Sequence, residues 1–263
     1  MIKDIIKDTE KAVREAGKYF FTVLEDEKSI MHKGFANYVT DTDFAVQKLM
    51  MEKLKKIMPE SNFISEELDQ YNLEWDKPTW VLDPVDGTTN YMYQYRHSAI
   101  SLALFIDGSP SMGIVYNPYL DEMFTAFKGQ GAFLNGERIA VSSSKKLEDC
   151  LIGFGTTPYD RSKAGITFDI TERVFSRCRD VRRSGSAALD ISYVACGRLD
   201  GFYEMNLQIW DYAAGMVILK EAGGICSRWN GDEINPVGPE SILGSNGLVH
   251  KELVDITGTF LKY

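Results

Sequence analysis

Between His97 and Gly108 no polar face is left along the chain. Ile100, Leu102, Leu104 and Ile106 fall on one side, and Ala99, Ser101, Ala103 and Phe105 on the other. Successive side chains of a strand point to opposite faces. A strand that is largely apolar on both faces has to be covered on both, which places it centrally in a buried sheet.

The flanking pattern supplies covering layers. Residues 3–26 read as a helix, with Ile5, Ile6, Ala12, Val13, Ala16, Phe20, Val23 and Leu24 at helical spacing. Gly17 within it weakens the helix or marks a close contact. Residues 28–40 read as a loop. A helix follows to about Met58, capped by Thr42 or Asp41 and ended by Pro59. Asp41 and Asp43 suit its first turn. Asn62–Glu67 reads as a short strand ending in two acids, which then face opposite ways. Residues 112–118 and 122–127 are further strands, and Asn135-Gly136 marks a two-residue hairpin. Gly129-Gln130-Gly131 precedes that hairpin and no helix, so it is not a dinucleotide fingerprint.

Beyond residue 150 strands and helices alternate, as in a layered α/β half with a covered sheet. Strands are expected at 151–154, 181–184, 199–204, 225–228 and 242–245. Helices are expected at 160–179, 186–196, 211–222 and 247–261. The polar run Ser142–Asp149 is the place for a division into halves, 1–145 and 146–263.

The 263 residues carry a net charge of −9 (29 basic, 38 acidic), which disfavours a general binder of nucleic acid or anionic membrane. No apolar run approaches the ~20 residues of a membrane span, and Met1-Ile2-Lys3-Asp4 does not open a secretion signal. Cys150, Cys178, Cys196 and Cys226 form no C-x-x-C pair, so reduced thiols in a cytoplasmic protein are expected.

The chemistry concentrates in Trp80–Asn90. Three apolar residues run into Asp83, then Pro84, Val85, Asp86, Gly87 and two threonines. Pro84 has no N–H, so the strand is expected to stop at Asp83. Gly87 tolerates a positive φ and a close ligand. A helical turn opening at Thr88 leaves N–H groups suited to a phosphate. Two hard oxygen ligands thus stand beside an anion cradle. Arg183–Ala188 is a second strand, glycine turn and helix start, read either as a capped helix or as N–H groups facing a ligand. Asp211 opens another helix, where it caps, ligates a metal, or does both with its two oxygens.

Magnitudes favour metal chemistry. Phosphate-monoester hydrolysis calls for accelerations up to ~10²¹-fold, and a general base supplies only ~10²–10⁴. Divalent ions that activate water and neutralise phosphoryl oxygens can provide the rest. Glu66, Asp83, Asp86 and Asp211 would repel a phosphate carrying about −2 charge unless cations intervene. All-oxygen ligands suit Mg²⁺ rather than zinc. His32, His97 and His250 stand in no metal-ligand spacing.

Asp83-Pro84-Val85-Asp86-Gly87-Thr88-Thr89-Asn90 resembles the D-P-x-D-G-T-x-N signature of inositol monophosphatases and their relatives. Trp210-Asp211 followed by a helix ending in Glu221-Ala222-Gly223-Gly224 resembles the second family signature. Glu66-Glu67 and Gly185-Ser186-Ala187 fall in the family's order along nearly the whole chain. The resemblance implies an α-β-α-β-α sandwich of the inositol monophosphatase and fructose-1,6-bisphosphatase type, a lithium-sensitive Mg²⁺-dependent phosphatase binding two or three ions, and a homodimer. Metal ligands would be Glu66, Asp83, Asp86, Asp211 and the Val85 carbonyl. Thr88 with Asp43 would orient the attacking water, with Glu67 in support. Gly87 and Thr88 would hold the phosphate. Gly185, Ser186, Ala187, Glu204 and Asp211 would meet the polyol. An acid at 204 resembles the enzymes that bind inositol hydroxyls, while at that position a solvated strand end is the other reading. The family's loop near Lys33 differs here, with Asn37 where an acid is frequent. The expected substrate is a small polyol or sugar phosphate, inositol monophosphate first. A fructose-1,6-bisphosphatase-like or dual-specificity phosphatase is the alternative enzyme. A regulatory or scaffolding protein with a transcription or ribosome-related partner is the alternative of another class.

Overall fold

The structure, a computed structural model, describes residues 2–21, 30–34, 37–68, 75–236 and 238–260. In chain order, α1 (Ile2–Ala16) runs into a 3₁₀ turn at Gly17–Phe21. A hairpin follows, β1 (Ile30–Gly34) with β2 (Asn37–Thr40), then α2 (Asp41–Ile57). Two expectations change here. The α-helix ends ten residues before 26, and 22–26 lie outside the described residues. The segment read as a loop holds paired strands, because its pairing is local to a hairpin that its composition does not announce. Gly17 is the close contact: a Cβ there would lie 2.5 Å from the Tyr116 ring.

The first half then builds a seven-stranded sheet from β3 (Asn62–Ser65), β4 (Thr79–Asp86), β5 (Ala99–Ile106), β6 (Ser109–Asn117), β7 (Glu122–Phe127), β8 (Gly131–Leu134) and β9 (Glu137–Ile139). Its order follows the chain, with β3 and β4 parallel and the rest antiparallel. A short helix, α3 (Thr88–Met92), sits between β4 and β5. The second half contributes β10 (Leu151–Phe154), α4 (Ala164–Phe175), β11 (Asp180–Arg182), α5 (Ala187–Ala195), β12 (Gly201–Leu207), α6 (Ile209–Glu221), β13 (Ile225–Arg228), β14 (Glu240–Ser245) and α7 (His250–Thr257). Its five strands lie in the order β11-β10-β12-β14-β13.

Side-chain alternation stacks these pieces as α-β-α-β-α. On β5, Ile100, Leu102 and Leu104 pack with Val13 of α1 and Met50 of α2. The opposite face, Ala99, Ala103 and Phe105, packs with Leu189 of α5 and Ala213 of α6. The α5–α6 layer also meets Phe202 and Ile242 of the second sheet. That sheet's outer face, including Ile152 and Tyr203, is covered by Ile170 of α4 and Leu253 of α7. The doubly apolar strand is therefore an interior strand of the first sheet, between β4 and β6, covered on both sides as its pattern requires.

Close approach seats α6. A Cβ on Gly113 of β6 would fall 2.3 Å from the Ala214 carbonyl oxygen. Ser101 Oγ donates to the Trp210 carbonyl at 2.9 Å, fixing the start of the same helix.

Candidate active site

β4 carries its apolar residues past Asp83 to Asp86, through Pro84, contrary to the expected stop. The register with β5 shifts between Asp83 and Asp86. A bulge leaves a residue out of the ladder, which is where a proline without an N–H can stand in a sheet interior. Past this irregularity Asp86 reaches the wall of a cavity, while Asp83 stays buried within the strand. Asp83 Oδ1 accepts from the Val85 N–H at 3.0 Å, and Thr88 Oγ1 donates to the Val85 carbonyl at 3.0 Å. Gly87 adopts φ +86°, and α3 begins at Thr88.

The second glycine turn meets the first. Gly185 has φ +94°. A Cβ on Gly87 would lie 3.1 Å from the Gly185 carbonyl and 3.1 Å from that of His97. Asn90 Nδ2 donates to the carbonyls of His97 (2.7 Å) and Ser184 (2.9 Å), tying the turns together. Ser186 caps α5 by accepting from the Leu189 N–H. Its hydroxyl also donates to Asp86 Oδ2 at 2.5 Å, and the Ala188 N–H donates to the same oxygen at 2.9 Å. Ser186, expected at the polyol, is 1% exposed and here holds Asp86 in place.

Asp211 is not the N-cap of α6. Gln208 is, and Asp211 Oδ2 accepts from the Gln208 N–H at 2.7 Å in a capping box. One carboxylate oxygen is thus enough to fix the side chain at a helix start. The same substitution of roles occurs at α2. Thr40 is its N-cap, and Asp43 Oδ2 accepts from the Thr40 N–H and Oγ1. Glu66 and Glu67 follow β3 in a turn, so strand alternation does not decide their directions.

These pieces surround a cavity of about 400 Å³. From the first half it is lined by Asp86, Gly87 and Thr88, and from the second by Gly185, Ala187, Glu204 and Asp211. Burial raises the Asp83 carboxyl well above its ordinary range, and the charges of Glu66, Asp86, Asp211 and Asp43 raise it further. Asp211 is raised well above its ordinary value by burial, then by Glu66 and Asp86. Burial lifts Asp86 to about 6 against the hydrogen bonds from Ser186 and Ala188. Glu204 rises to about 7, again through burial, while the Thr157 N–H and Arg183 pull it down.

This donor set fits a divalent cation. It is all oxygen, and every charge acting on Asp83 is another carboxylate. Buried like charges are stable as anions only with a counter-charge. Asp86 and Asp211 stand in the cavity wall, while Glu66, Asp83, Val85, Asp43 and Glu67 are outside its lining, Asp83 acting with Asp86, Asp211 and Glu66 through charge. Among the described residues no three acidic, histidine or cysteine side chains already close on one point.

Neither His97 nor His250 lines the cavity. His250 is buried between Ser227 and Ser245, with 2.9 and 2.8 Å contacts, and His97 is packed against Tyr193. The four cysteines are unpaired. No described helix is long and apolar enough to cross a membrane.

The model of the inositol monophosphatase family matches residues 2–258. The chain belongs to the inositol monophosphatase family. Similar family members include the "Nus factor SuhB" of Escherichia coli K12, 38% identical over 224 residues, with 84% of each chain covered. "Inositol monophosphatase 2" of Solanum lycopersicum is 41% identical over 231 residues, 86% of this chain and 87% of that one. The crystal structure of the extragenic suppressor protein suhB from Bartonella henselae superposes with a TM-score of 0.91 at 34% identity, over 98% of this chain and all of that one. The fold of this family member is therefore the layered sandwich that its two signatures imply.

Two parts of the site were missed at the sequence level. Asp190, buried on α5, lines the cavity and accepts from Ser184 Oγ at 2.5 Å. Only its place one turn after the Ser186 cap hints at that. Thr157 donates its N–H to Glu204 Oε1 at 3.1 Å, and nothing in the sequence around 157 announces it.

Proposed function

We propose that this chain is a Mg²⁺-dependent phosphomonoesterase of small polyol or sugar monophosphates, with inositol monophosphate as the first substrate. The observation that carries the reading is the convergence of Asp86 and Asp211, from different halves, on one cavity beside the Gly87 turn. Glu66, Asp83, Asp86, Asp211 and the Val85 carbonyl would hold two Mg²⁺ ions, with a third as an addition. When bound, such ions supply Lewis acidity and lower the pKa of water.

The chain's own residues complete the reaction. The N–H groups of Gly87 and Thr88 face the phosphate oxygens. Thr88 and Asp43 orient the attacking water, and Glu67 supports them. Ser186 and Ala188 fix the Asp86 carboxylate, so its geometry is set before substrate arrives. Glu204 and the Gly185–Ala187 turn face the alcohol. Attack by water on phosphorus releases the alcohol without a phospho-enzyme.

Phosphate release from inositol monophosphates, fructose 1,6-bisphosphate, histidinol phosphate and adenosine 3′,5′-bisphosphate, with Mg²⁺ and with a chelator, tests this. The expected result is fastest release from inositol monophosphate, abolished by the chelator. No release from any ester in Mg²⁺ would overturn the phosphatase reading. A second reading, a regulatory protein, is favoured by the relatives named Nus factor. Capture of a partner independent of Mg²⁺ and substrate would support it, and both activities can coexist.

A further inference from the structure

The segment Gly155–Ser162 leaves β10 and lines the cavity through Gly155, Thr156, Pro158, Tyr159 and Arg161, and neither family signature includes it. It is tied down at nearly every step. The Gly155 N–H donates to the Tyr203 carbonyl at 3.0 Å. Arg183 donates to Thr156 Oγ1 at 3.1 Å. The Thr157 N–H donates to Glu204 Oε1, and Thr157 Oγ1 donates to the Met205 carbonyl at 2.7 Å. The Asp160 N–H donates to the Thr157 carbonyl at 3.1 Å, and Asp160 caps the turn that follows.

Thr157 itself is strained. It is buried, with φ +44°, and precedes Pro158. A non-glycine residue held in that region needs surroundings that over-determine it. Glu204 is one of the groups that do so. A Cβ on Gly155 would fall 1.8 Å from Glu204 Cδ, so glycine is what lets the carboxylate reach Thr157.

The strained turn presents Tyr159. That residue is 58% exposed, yet it lines the cavity that holds Asp86 and Asp211. Burial and the charges of Glu66, Asp211, Asp83 and Asp86 all raise its phenol, which stays protonated beside them. Tyr93, at the end of α3, is 79% exposed and lines the same cavity from the first half. Large aromatic side chains left in water at a polar cavity mouth are unspent contact area. A ring-shaped polyol has polar edges and apolar C–H faces, which suit aromatic faces.

We propose that Tyr159, with Tyr93 from the first half lining the same cavity, forms an aromatic rim that binds the C–H face of a cyclic leaving alcohol and so selects ring-shaped over acyclic phosphate esters. The proposal deepens the phosphatase reading and rests on it for the substrate class. In it, Glu204 has a second part: it anchors the turn that sets the height of Tyr159.

Kinetics with inositol 1-phosphate and glycerol 2-phosphate test the rim in Tyr159→Ala, Tyr159→Phe and Tyr93→Ala. Tyr159→Ala should raise KM for the inositol ester about tenfold while kcat changes less than about threefold. KM for the glycerol ester should move less than about threefold. Tyr93→Ala should follow the same pattern, and Tyr159→Phe should keep most of the selectivity. An unchanged selectivity ratio in Tyr159→Ala overturns the rim. So does an equal loss of kcat on both esters, which would place the effect on the carboxylates. A Phe variant as impaired as Ala overturns recognition by the ring face. Calorimetric titration of myo-inositol, the ring without its phosphate, into Mg²⁺-loaded wild type and Tyr159→Ala reads the contact without turnover. Wild type that binds it but hydrolyses no ester refutes the phosphatase reading alone. Wild type that does not bind, or a variant that binds equally well, refutes the rim.

Discussion

Asp86 joins the two halves of the chain through one oxygen. Its Oδ2 accepts from Ser186 and Ala188, while its backbone ends β4. An asparagine there can still accept those two bonds, so the fold should survive the exchange. As a proposed ligand, it would lose its charge. Removing a group that only supports a metal ligand costs about 10–100-fold, so Asp86→Asn should lower turnover by roughly 10²-fold or more. Its melting temperature in chelator should equal or exceed that of wild type, because one charge leaves a buried acidic cluster. Turnover near wild type, read in a steady-state phosphate assay, would remove Asp86 from the machinery. The sequence told less about Ser186. Its serine-glycine context suggested a cap or a ligand contact, and the cap is present. Its bond to a carboxylate a hundred residues earlier depends on two loops meeting, which no local pattern encodes.

Among the elements, α6 bears most on the site because Asp211 stands in its first turn. It is hydrophobic nearly all round, and it lies between the two sheets. Gly113 lets it come close, with the Ala214 carbonyl where a Cβ would be. Gly113→Ala must push the helix off β6, since backbone cannot rotate away. Overpacking of this kind costs about 1–3 kcal/mol. The variant should melt lower and also bind Mg²⁺ more weakly, because Asp211 moves with the helix. A melting loss without weaker Mg²⁺ binding in calorimetry would separate α6 seating from the site. Most elements were legible from periodicity: β5 by its two apolar faces, and the β8–β9 hairpin by Asn135-Gly136. Boundaries and exceptions were less so. β4 passes Pro84 because a bulge absorbs the missing donor, and β1 and β2 pair where the composition looked like a loop. The caps at Thr40 and Gln208 each lie three residues before the aspartate that completes them, so taking Thr42 or Asp41 as the cap of α2, and Asp211 as that of α6, set both helix starts too late.

At the scale of the molecule, the central core runs from Val81 and Phe105 of the first sheet to Phe202 and Ile242 of the second. The acidic cavity opens against the same layer, so its charge state acts on both halves together. Asp83 and Asp211 stand well above the ordinary carboxylate range, Asp86 near 6 and Glu204 near 7, each chiefly through burial. In the unfolded chain such groups ionise near pH ~4. A carboxylate raised on folding contributes stability below its unfolded pKa, and that contribution is lost as pH rises through the folded value. Metal-free protein should therefore gain stability when pH falls from about 8 to about 6, as Glu204 and Asp86 take up protons. At the proposed site Mg²⁺ would compete for the same oxygens and stabilise the ionised cluster, most strongly at the alkaline end. Melting curves in chelator should rise by several degrees over that acidification, at about 2–4 °C per kcal/mol for a chain of this size. In saturating Mg²⁺ the rise should flatten or reverse, and a single transition should persist because the halves share the core. A flat chelator profile would mean that the clustered carboxylates exert no strain on the empty site, and their grouping would then need a cause other than a missing cation.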